Sequence, residues 1–419
     1  MTSLKHIPPS CQVAIVGGGP SGLALATELK NLGIDDVVIL ERQAQAGGIP
    51  QHCGHYPFGF WEYKRLLKGP DYAHLLRNKA EDAGVAILTN CHVTNLAPGG
   101  HLSLTTPNGS CKMLADRVVL ATGVRESSRS QRLIGGQRPQ GVLSTGALQS
   151  MIYQHGKRPF KHPVILGSEL VSFSAILTCR HMGIKPIAMI EEKERVIARS
   201  FNALFPKLLG IPLRMGTHNL TIHGRDQVEA LSYRDREGKI HQIETDGVIV
   251  SGHFRPESAL LLNSHLEMDP ATGGPKVDQY GRTNDEHVFS TGNLLRPAET
   301  SAWCWSEGHK MAHILADNLH SERTPPPITH SIELEHEALR FVMPQCLSLP
   351  PAKNHQRMEH LQIRLNRAVK GLLVLKSGDK ILWSGAINSR PERRILIPLD
   401  PWIDQPIPGP LSLRIEEKR

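Results

Sequence analysis

The sequence predicts an α/β fold, in which parallel strands alternate with helices, followed by a smaller β-rich segment. Two strand–turn–helix units support this prediction. An apolar strand, Val13 to Val16, runs into the glycine-rich residues 17–22 and then a helix, and a second such unit starts at Pro163. Beyond residue 327 the chain changes to short stretches that alternate apolar and polar residues, which is typical of strands.

The first turn reads Gly17-x-Gly19-x-x-Gly22, and each glycine serves a geometric purpose. Gly17 permits the tight turn, Gly19 lets a pyrophosphate approach the backbone, and Gly22 lets the helix pack against the strand. The N-terminus of the helix adds unpaired N–H groups and a partial positive charge for phosphates. A second strand, Val37 to Leu40, ends at Glu41, where a carboxylate would accept the ribose hydroxyls of an adenine dinucleotide. This combination predicts a Rossmann-like unit that binds a dinucleotide.

The elements that follow continue the alternation. After an irregular stretch, residues 42–70, helical periodicity returns, and Asn108-Gly109 marks a hairpin turn. The chain later returns to the segment 288–293, and a Pro-rich linker, residues 324–327, precedes the β-rich segment. The predicted helices are 23–30, 72–83, 170–181 and 302–319, and the predicted strands are 13–16, 37–40, 85–88, 92–96, 102–105, 111–114, 117–121, 164–167, 186–190, 220–223, 228–233, 240–244, 247–251, 361–365, 372–375, 381–383 and 411–415.

Composition narrows the function class. Of the 419 residues, 40% are hydrophobic and 21% are charged, which is typical of a soluble protein of two or three domains. The formal net charge is +8, but no basic run is dense enough to predict a nucleic-acid partner. The first residues include Pro8 and Pro9 without an apolar core, and no apolar run is long enough to span a bilayer. We therefore expect a cytoplasmic protein without an integral membrane segment.

The seven cysteines are spread widely, and no two lie closer than twenty positions. This spacing excludes a CxxC redox pair and a compact zinc or iron–sulfur motif, since each needs closely spaced ligands. Most cysteines are predicted to be small buried apolar residues. His52 and His55 have no third ligand nearby, so no metal site is predicted.

The order of these motifs resembles the thioredoxin-reductase-like branch of the pyridine nucleotide-disulfide oxidoreductases, over residues 11 to 320. Besides the first turn, the resemblance rests on Leu120-Ala-Thr-Gly123, Gly167, Gly252-His253 and Ser290-Thr-Gly-Asn293. It implies an α/β fold with two Rossmann-like dinucleotide-binding domains. The implied FAD domain is discontinuous and covers residues 1–127 and 251–322. An NAD(P)-type domain, residues 128–250, is inserted into it. A small C-terminal β-rich domain covers residues 328–419.

Three departures from that family pattern bear on function. The segment Gly141 to Ala147 lacks the redox CxxC, and a thiolate is required for disulfide exchange. The second glycine-rich turn, or fingerprint, begins at Gly167. Here Glu169 stands in place of the middle glycine and Ser172 in place of the third. A side chain at the middle position obstructs a pyrophosphate, which makes NAD(P) a doubtful cofactor. Asn293 stands where disulfide reductases carry Asp, and its amide can still accept a hydrogen bond from a flavin ribityl hydroxyl. FAD is therefore the expected cofactor.

The same resemblance implies which residues hold FAD. The helix predicted near Ala302 aims its N-terminus at the flavin, with Thr300 or Ser301 as its cap. Arg125 and Arg296 are candidates for holding an anionic group, with an ordinary salt bridge as the alternative. The implied FAD-binding residues are Gly17, Gly19, Pro20, Ser21, Gly22, Glu41, Arg42, Gly48, Val93, Ala121, Thr122, Gly123, Gly292, Asn293, Ser301 and Trp303.

His52, Cys53 and His55 are the candidate catalytic residues, because their loop passes over the flavin in similar folds. A histidine there could take the proton from an amine or an alcohol during oxidation.

The sequence is similar to flavin subunits of heteromeric sarcosine, opine and proline dehydrogenases and of hydrogen cyanide synthase. It therefore predicts an FAD-dependent dehydrogenase subunit that oxidises a C–N or C–OH bond of a small amine, amino-acid, opine or hydroxy-acid substrate, with hydride transfer to flavin N5. A partner subunit in a hetero-oligomeric enzyme is expected. Two alternatives stay open: an NAD(P)H-dependent flavin reductase component, and a non-catalytic assembly subunit whose FAD is structural.

Overall fold

The protein is described by a computed structural model, which covers residues 7–198, 203–297, 299–320, 326–353 and 355–417. It divides into two compact units. Unit 1 comprises Met1–Gly48, Ala73–Val124 and Pro256–Arg419, and unit 2 comprises Ile49–Tyr72 and Arg125–Arg255.

The first third of the chain supplies a parallel α/β core. Its elements are β1 (Ser10–Val16), α1 (Pro20–Asn31), β2 (Val37–Leu40), a 3₁₀ turn (Ile49–His52), α2 (Phe60–Tyr63), α3 (Gly69–Asp82), β3 (Ala86–Leu88), β4 (His92–Ala97), β5 (His101–Thr106), β6 (Gly109–Leu120) and β7 (Val124–Arg125).

The middle third supplies a second strand–helix array. Its elements are β8 (Gly135–Gly136), β9 (Val142–Ser144), α4 (Thr145–Tyr153), β10 (Pro163–Leu166), α5 (Leu170–His181), β11 (Ala188–Glu191), α6 (Leu204–Leu208), β12 (Leu213–Met215), β13 (His218–His223), β14 (Ala230–Arg234), β15 (Ile240–Glu244), β16 (Gly247–Val250) and β17 (Arg255–Pro256).

The last third returns to the first core and then turns β-rich. Its elements are α7 (Ala259–Leu262), β18 (Val288–Ser290), a 3₁₀ turn (Gly292–Leu294), α8 (Ser301–His320), β19 (His330–Leu334), β20 (Leu339–Met343), β21 (Cys346–Leu347), β22 (His360–Leu365), β23 (Val369–Ser377), β24 (Lys380–Ser389), β25 (Ile395–Pro398) and β26 (Leu411–Glu417).

In unit 1 the main sheet has the strand order β3–β2–β1–β6–β5–β4, and β18 also pairs with β6. The pairs β1–β2, β1–β6 and β6–β18 are parallel, with Ala14 opposite both Val38 and Val118. Both β1 and β2 are apolar because parallel strands are covered on both faces. The carboxyl ends of β1, β6 and β18 therefore meet at one edge, where an open α/β sheet binds its ligand.

Unit 2 repeats this plan in its parallel sheet, with the order β12–β11–β10–β16–β9. A second, largely antiparallel sheet has the order β15–β14–β13–β8 and packs its apolar face on the first. Gly167 follows β10, Ser251 follows β16 and Thr145 follows β9, so these residues share one edge.

The C-terminal segment of unit 1 consists of two sheets, ordered β21–β19–β26–β23–β24 and β20–β22–β25. Both sheets contribute to one apolar core, which includes the fully buried Trp402 together with Leu361, Ile363 and Leu373. The predicted fold class, two Rossmann-like units with a small C-terminal β-rich segment, is confirmed.

Most predicted elements are confirmed within a few residues. The strand 37–40 and the helix 170–181 have the predicted bounds, and the predicted strands 111–114 and 117–121 are one strand, β6. The helix α4 and the strands β9, β19, β20, β21 and β25 had not been predicted. The domain boundaries stay a prediction, and residues 324 and 325 of the predicted linker lie outside the described residues.

Candidate functional site

The turn between β1 and α1 has the geometry of a phosphate-binding loop. Gly17 has φ of +109°, and a Cβ on it would lie 2.5 Å from the Ala121 carbonyl oxygen. A Cβ on Gly22 would lie 2.1 Å from the Gly17 carbonyl oxygen. Outside Gly19 the space is open, because the nearest atom to a Cβ there would be the Gly48 Cα at 4.0 Å. Two glycines thus build the turn, and the third leaves room for a ligand.

Glu41 closes this turn from the neighbouring strand. Its buried carboxylate accepts hydrogen bonds from the Gly18 N–H at 2.8 Å and the Gln43 N–H at 2.8 Å. Arg42, the next residue, pairs with Glu257 across 3.4 Å. The carboxylate is therefore fixed beside the turn, in the position expected for a ribose-binding acid.

Three further segments surround the same edge of the sheet. Gly48, with φ of +63°, packs on the turn so closely that its Cβ would lie 2.9 Å from the Gly19 Cα. Ser21 and Thr291 share a hydrogen bond of 3.2 Å between their hydroxyls, which joins α1 to the end of β18. The hydroxyl of Thr122 donates to the Glu257 carbonyl oxygen at 2.8 Å.

The remaining predicted FAD-binding residues differ in backbone conformation and in burial. Pro20 is the first residue of α1, and Gly123 and Gly292 both have positive φ. Val93 is buried in the apolar core, so its side chain is not available to a ligand. These assignments stay predictions.

Near the start of α8 the side chains are engaged with the protein itself. The Asn293 amide donates to the Glu299 carbonyl oxygen at 3.0 Å and accepts from the Glu299 N–H at 2.9 Å. The Thr300 hydroxyl accepts from the Trp303 N–H at 3.3 Å, so Thr300 caps α8 and Ser301 begins it. Asn293 thus holds the segment before the helix in place.

The C-terminal segment braces the same helix start. The guanidinium of Arg394 lies over the Trp303 ring, 3.4 Å from its centroid, and pairs with Glu299 at 3.1 Å. Arg296, a predicted anion-binding candidate, is fully buried and pairs with Glu307 while donating to Gln362. Its guanidinium is therefore held by side chains of unit 1.

The candidate catalytic residues lie in unit 2. Burial lowers the pKa of His52 to about 4, so its imidazole is neutral at physiological pH. Burial, reinforced by Glu126, raises the pKa of Cys53 to about 12, and its thiol contacts the Gln149 side chain at 3.5 Å. His55 is partly exposed, and its Nδ1 lies 3.0 Å from the Tyr56 carbonyl oxygen. His52 is the better candidate, because a permanently protonated thiol is a poor nucleophile.

The seven cysteines are free thiols, and all except the half-buried Cys111 are buried. None of the seven, all of which are in described parts of the chain, forms a disulfide. Burial is the main cause of a pKa raised to about 12 for Cys11, Cys179 and Cys304, and to about 11 for Cys91.

The second fingerprint keeps the turn but not the open space. Gly167 has φ of +117°, and its Cβ would lie 2.8 Å from the Ser251 carbonyl oxygen. Glu191 accepts from the Ser168 hydroxyl at 2.6 Å, much as Glu41 accepts from Gly18. At the position of the middle glycine, however, the Glu169 carboxylate accepts from the His253 N–H at 2.8 Å.

A second carboxylate lies beside Glu169. Glu126 accepts from the Gly252 N–H at 2.9 Å and from the Gly146 N–H at 2.7 Å. Gly252 and His253 both have positive φ, so their successive N–H groups face these two acids. Such paired N–H groups commonly bind anions, and here they donate to the carboxyl oxygens of the chain's own side chains.

Burial raises the pKa of both carboxyls, and their mutual repulsion adds to that of Glu169. For Glu169, the hydrogen bond from the His253 N–H and the positive charge of Arg132 oppose this rise in pKa. The Arg132 guanidinium is held by the carbonyl oxygens of Leu166 and Ser251, to which it donates at 3.3 and 3.0 Å. Sequence reasoning found Glu169 but missed Glu126 and Arg132, because only the fold brings residues 126, 132 and 252 together.

Across the described residues, no helix is both long enough and apolar enough to cross a membrane.

Comparison with known proteins agrees with this geometry. Residues 11–312 match the family described as pyridine nucleotide-disulphide oxidoreductase. The chain is 26% identical over 292 residues to the ferredoxin reductase component of chlorobenzene dioxygenase from Cupriavidus sp. (strain PS12), covering 67% of this chain and 66% of that protein. It is 22% identical over 311 residues to one of the opine oxidase subunits from Rhizobium meliloti, covering 67% and 58%. The match thus spans less than two thirds of either relative.

Solved structures show the same fold. Thioredoxin reductase from T. acidophilum superposes with a TM-score of 0.63 at 22% identity, covering 75% of this chain and all of that one. L-Proline dehydrogenase from P. horikoshii superposes with a TM-score of 0.57 at 18% identity, covering 75% of this chain and 57% of that one.

Proposed function

Because the chain belongs to the pyridine nucleotide-disulphide oxidoreductase family, whose members are FAD-dependent oxidoreductases, we propose that it is the flavin subunit of a dehydrogenase. Its substrate is a small amine, amino acid, opine or hydroxy acid, oxidised at a C–N or C–OH bond. The observation that carries this proposal is the Glu169 carboxylate bound to the His253 N–H. It fills the second fingerprint, so electrons enter from a substrate rather than from NAD(P)H.

The loop around Gly17, Gly19 and Gly22 fits FAD, because it leaves the backbone near Gly19 open to a pyrophosphate while Glu41 is fixed for the ribose. FAD supplies a two-electron acceptor when bound. The start of α8, capped by Thr300, offers N–H groups to negative charge. Arg394 and Glu299 keep that helix start in place.

His52 is proposed to accept the proton that leaves the substrate nitrogen or oxygen. Its neutral imidazole has a lone pair available, since burial keeps the pKa near 4. The ring nitrogen Nε2 would lie 3.6 Å from a Cβ on Gly146, so the first turn of α4 adjoins it. The low pKa makes the ring a modest base, which suits an amine more than an alcohol.

A partner subunit is proposed to accept the electrons or to supply part of the substrate site. One support is the similarity to the opine oxidase protein, which is itself one component of a multi-subunit enzyme. Another is a group of exposed apolar side chains in the loop that carries His52: Tyr56, Phe60, Trp61 and Leu66. Trp61 is 73% exposed, which is unusual for tryptophan unless another surface covers it.

The direct test is anaerobic mixing of the FAD-loaded protein, with and without a co-purified partner, with a panel of amines, opines and hydroxy acids. We expect one substrate class to bleach the flavin absorbance. His52→Gln should slow that step by about a hundredfold or more and remove the limb of its pH profile near pH 4. The exposed His74→Gln is the matched control. If no substrate reduces the flavin even with the partner present, a structural role for FAD replaces this proposal.

A reductase component fed by NAD(P)H is the second candidate. The similarity to a ferredoxin reductase component and the retained Glu191 favour it. It predicts fast bleaching of the flavin by NADH, which the dehydrogenase proposal does not.

A further inference from the structure

Two histidines on α8 and a glutamate on α1 form a cluster outside the site described above. His309 and His313 are one turn apart, and their rings stack with centroids 5.5 Å apart and an interplanar angle of 14°. Glu28 faces both, with its carboxylate oxygens 3.1 Å from the Nε2 of His313 and 3.8 Å from the Nε2 of His309. Within the described ranges, no other group of three or more His, Cys, Asp and Glu side chains comes together this closely.

The two helices that carry these side chains are closely packed on each other. Gly308, next to His309, lets α8 touch α1, because a Cβ on it would lie 2.1 Å from the Ser21 carbonyl oxygen. The two helices are packed along their length, so the spacing between Glu28 and the histidines is set by the core. Glu28 is also oriented by the Asn31 side-chain amide, which donates to its Oε2 at 3.0 Å.

These three groups match the ligand preferences of zinc. Neutral imidazole and carboxylate bind Zn²⁺, Co²⁺ and Ni²⁺, and two histidines spaced i, i+4 on one helix face point at a common ion. The candidate ligand atoms lie within 4.8 Å of one another. Small side-chain rotations can bring them to the roughly 2.0–2.2 Å bonds of a zinc site. The amide of Asn31 would act as an outer support for the carboxylate.

We propose that Glu28, His309 and His313 bind one divalent transition-metal ion of the zinc class, with water in the remaining position. The ion clamps the distal part of α1 to α8, the two helices whose N-termini lie at the FAD-binding edge. Metal binding therefore stabilises the holoprotein against heat. The proposal does not depend on the substrate or on flavin reduction.

The competing explanation is a plain ion pair between Glu28 and protonated histidines. His313→Lys separates the two, because lysine keeps an ion pair with Glu28 but leaves only two of the three metal ligands. His309→Gln and Glu28→Gln each remove one ligand. His320→Gln, an exposed histidine at the end of the same helix, is the matched control.

The FAD-loaded full-length protein is stripped with a chelator and titrated with ZnCl₂ and CoCl₂. We expect one ion per chain, a rise in melting temperature with Zn²⁺, and Co²⁺ ligand-field bands at wavelengths beyond the flavin absorbance. Affinity should fall more than about tenfold in H309Q, H313K and E28Q, since even outer-shell changes cost that much, and stay unchanged in H320Q. Retained FAD absorbance shows that each variant is folded. Equal zinc affinity in H313K, H309Q and the wild type, or no bound ion, would overturn the proposal.

Discussion

The two fingerprint turns are built on the same backbone and differ at one decisive position. Gly17 and Gly167 have φ of +109° and +117°, and each is followed by a helix of 12 residues. Glu41 directly follows β2, Glu191 ends β11, and both carboxylates bind back to their turns. At the middle position of the fingerprint, Gly19 leaves open space, whereas the Glu169 side chain occupies it and binds the His253 N–H. A shared backbone geometry therefore does not guarantee a shared ligand site.

The difference is also electrostatic. Beside the second turn, the carboxyls of Glu126 and Glu169 take the successive N–H groups of Gly252 and His253. A pyrophosphate would have to displace these acids and would meet their charge. At the first turn, the Glu41 carboxylate accepts from the Gly18 N–H, and the space outside Gly19 stays open.

The largest expected effect comes from breaking the intact turn. In Gly22→Ala the added Cβ would lie 2.1 Å from the Gly17 carbonyl oxygen, so the turn must open. We expect loss of FAD and a cost of about 1–3 kcal/mol in the free energy of unfolding. The flavin-to-protein absorbance ratio after gel filtration measures the loss.

Ser172→Ala is the matched control for that variant, because Ser172 occupies the corresponding position in the second turn. Its hydroxyl is buried and meets no hydrogen-bond partner among the described residues, so its removal should leave FAD content unchanged and stability equal or slightly higher. Normal FAD retention in G22A would contradict the assignment of the first turn.

The reverse change should open the second turn. Glu169→Gly removes both the side chain and its charge, so NADH should bind at least about tenfold more tightly, a gain of about 1.4 kcal/mol. Quenching of NADH fluorescence measures the affinity. Glu169→Gln keeps the size without the charge and separates the two causes. Unchanged affinity in E169G would show that the second turn is closed by something other than Glu169.

A smaller effect concerns pH. Burial raises the pKa of Glu169 above its ordinary 4.5 in the folded protein, so the folded state binds more protons than the unfolded state above that pH. The wild type should therefore lose stability relative to Glu169→Gln as the pH rises from acid to neutral. Urea unfolding at several pH values measures this difference. The exposed Glu194→Gln is the control, and its stability relative to the wild type should not change with pH. If E194Q gains stability over the wild type with rising pH as much as E169Q does, the account is contradicted.

The sequence predicted well what local patterns determine. The strand 37–40 and the helix 170–181 follow from unbroken apolar runs bounded by turns, and the Gly17 to Gly22 motif located its own turn. The β-rich segment was only partly predicted, because short strands such as Cys346–Leu347 depend on pairing with distant residues. Arg296 was a candidate for binding an anion, but burial beside Glu307 gives it a structural role.

In the candidate site, too, the residues marked by a local motif could be predicted, and those brought together only by the fold could not. Glu169 could be identified from its place in a motif, whereas Glu126 binds Gly252 across 126 positions and carries no local signal. The cluster of His309, His313 and Glu28 was not predicted, because Glu28 joins the two histidines only through helix packing.

The central claim is that one dinucleotide site is open and the other is filled by the chain's own carboxylate. Anaerobic titration of the FAD-loaded wild-type protein with NADH and NADPH tests it most directly. The account predicts that the flavin spectrum stays oxidised with either nucleotide. Stoichiometric bleaching of the flavin by NADH or NADPH, at a rate compatible with turnover, would contradict it.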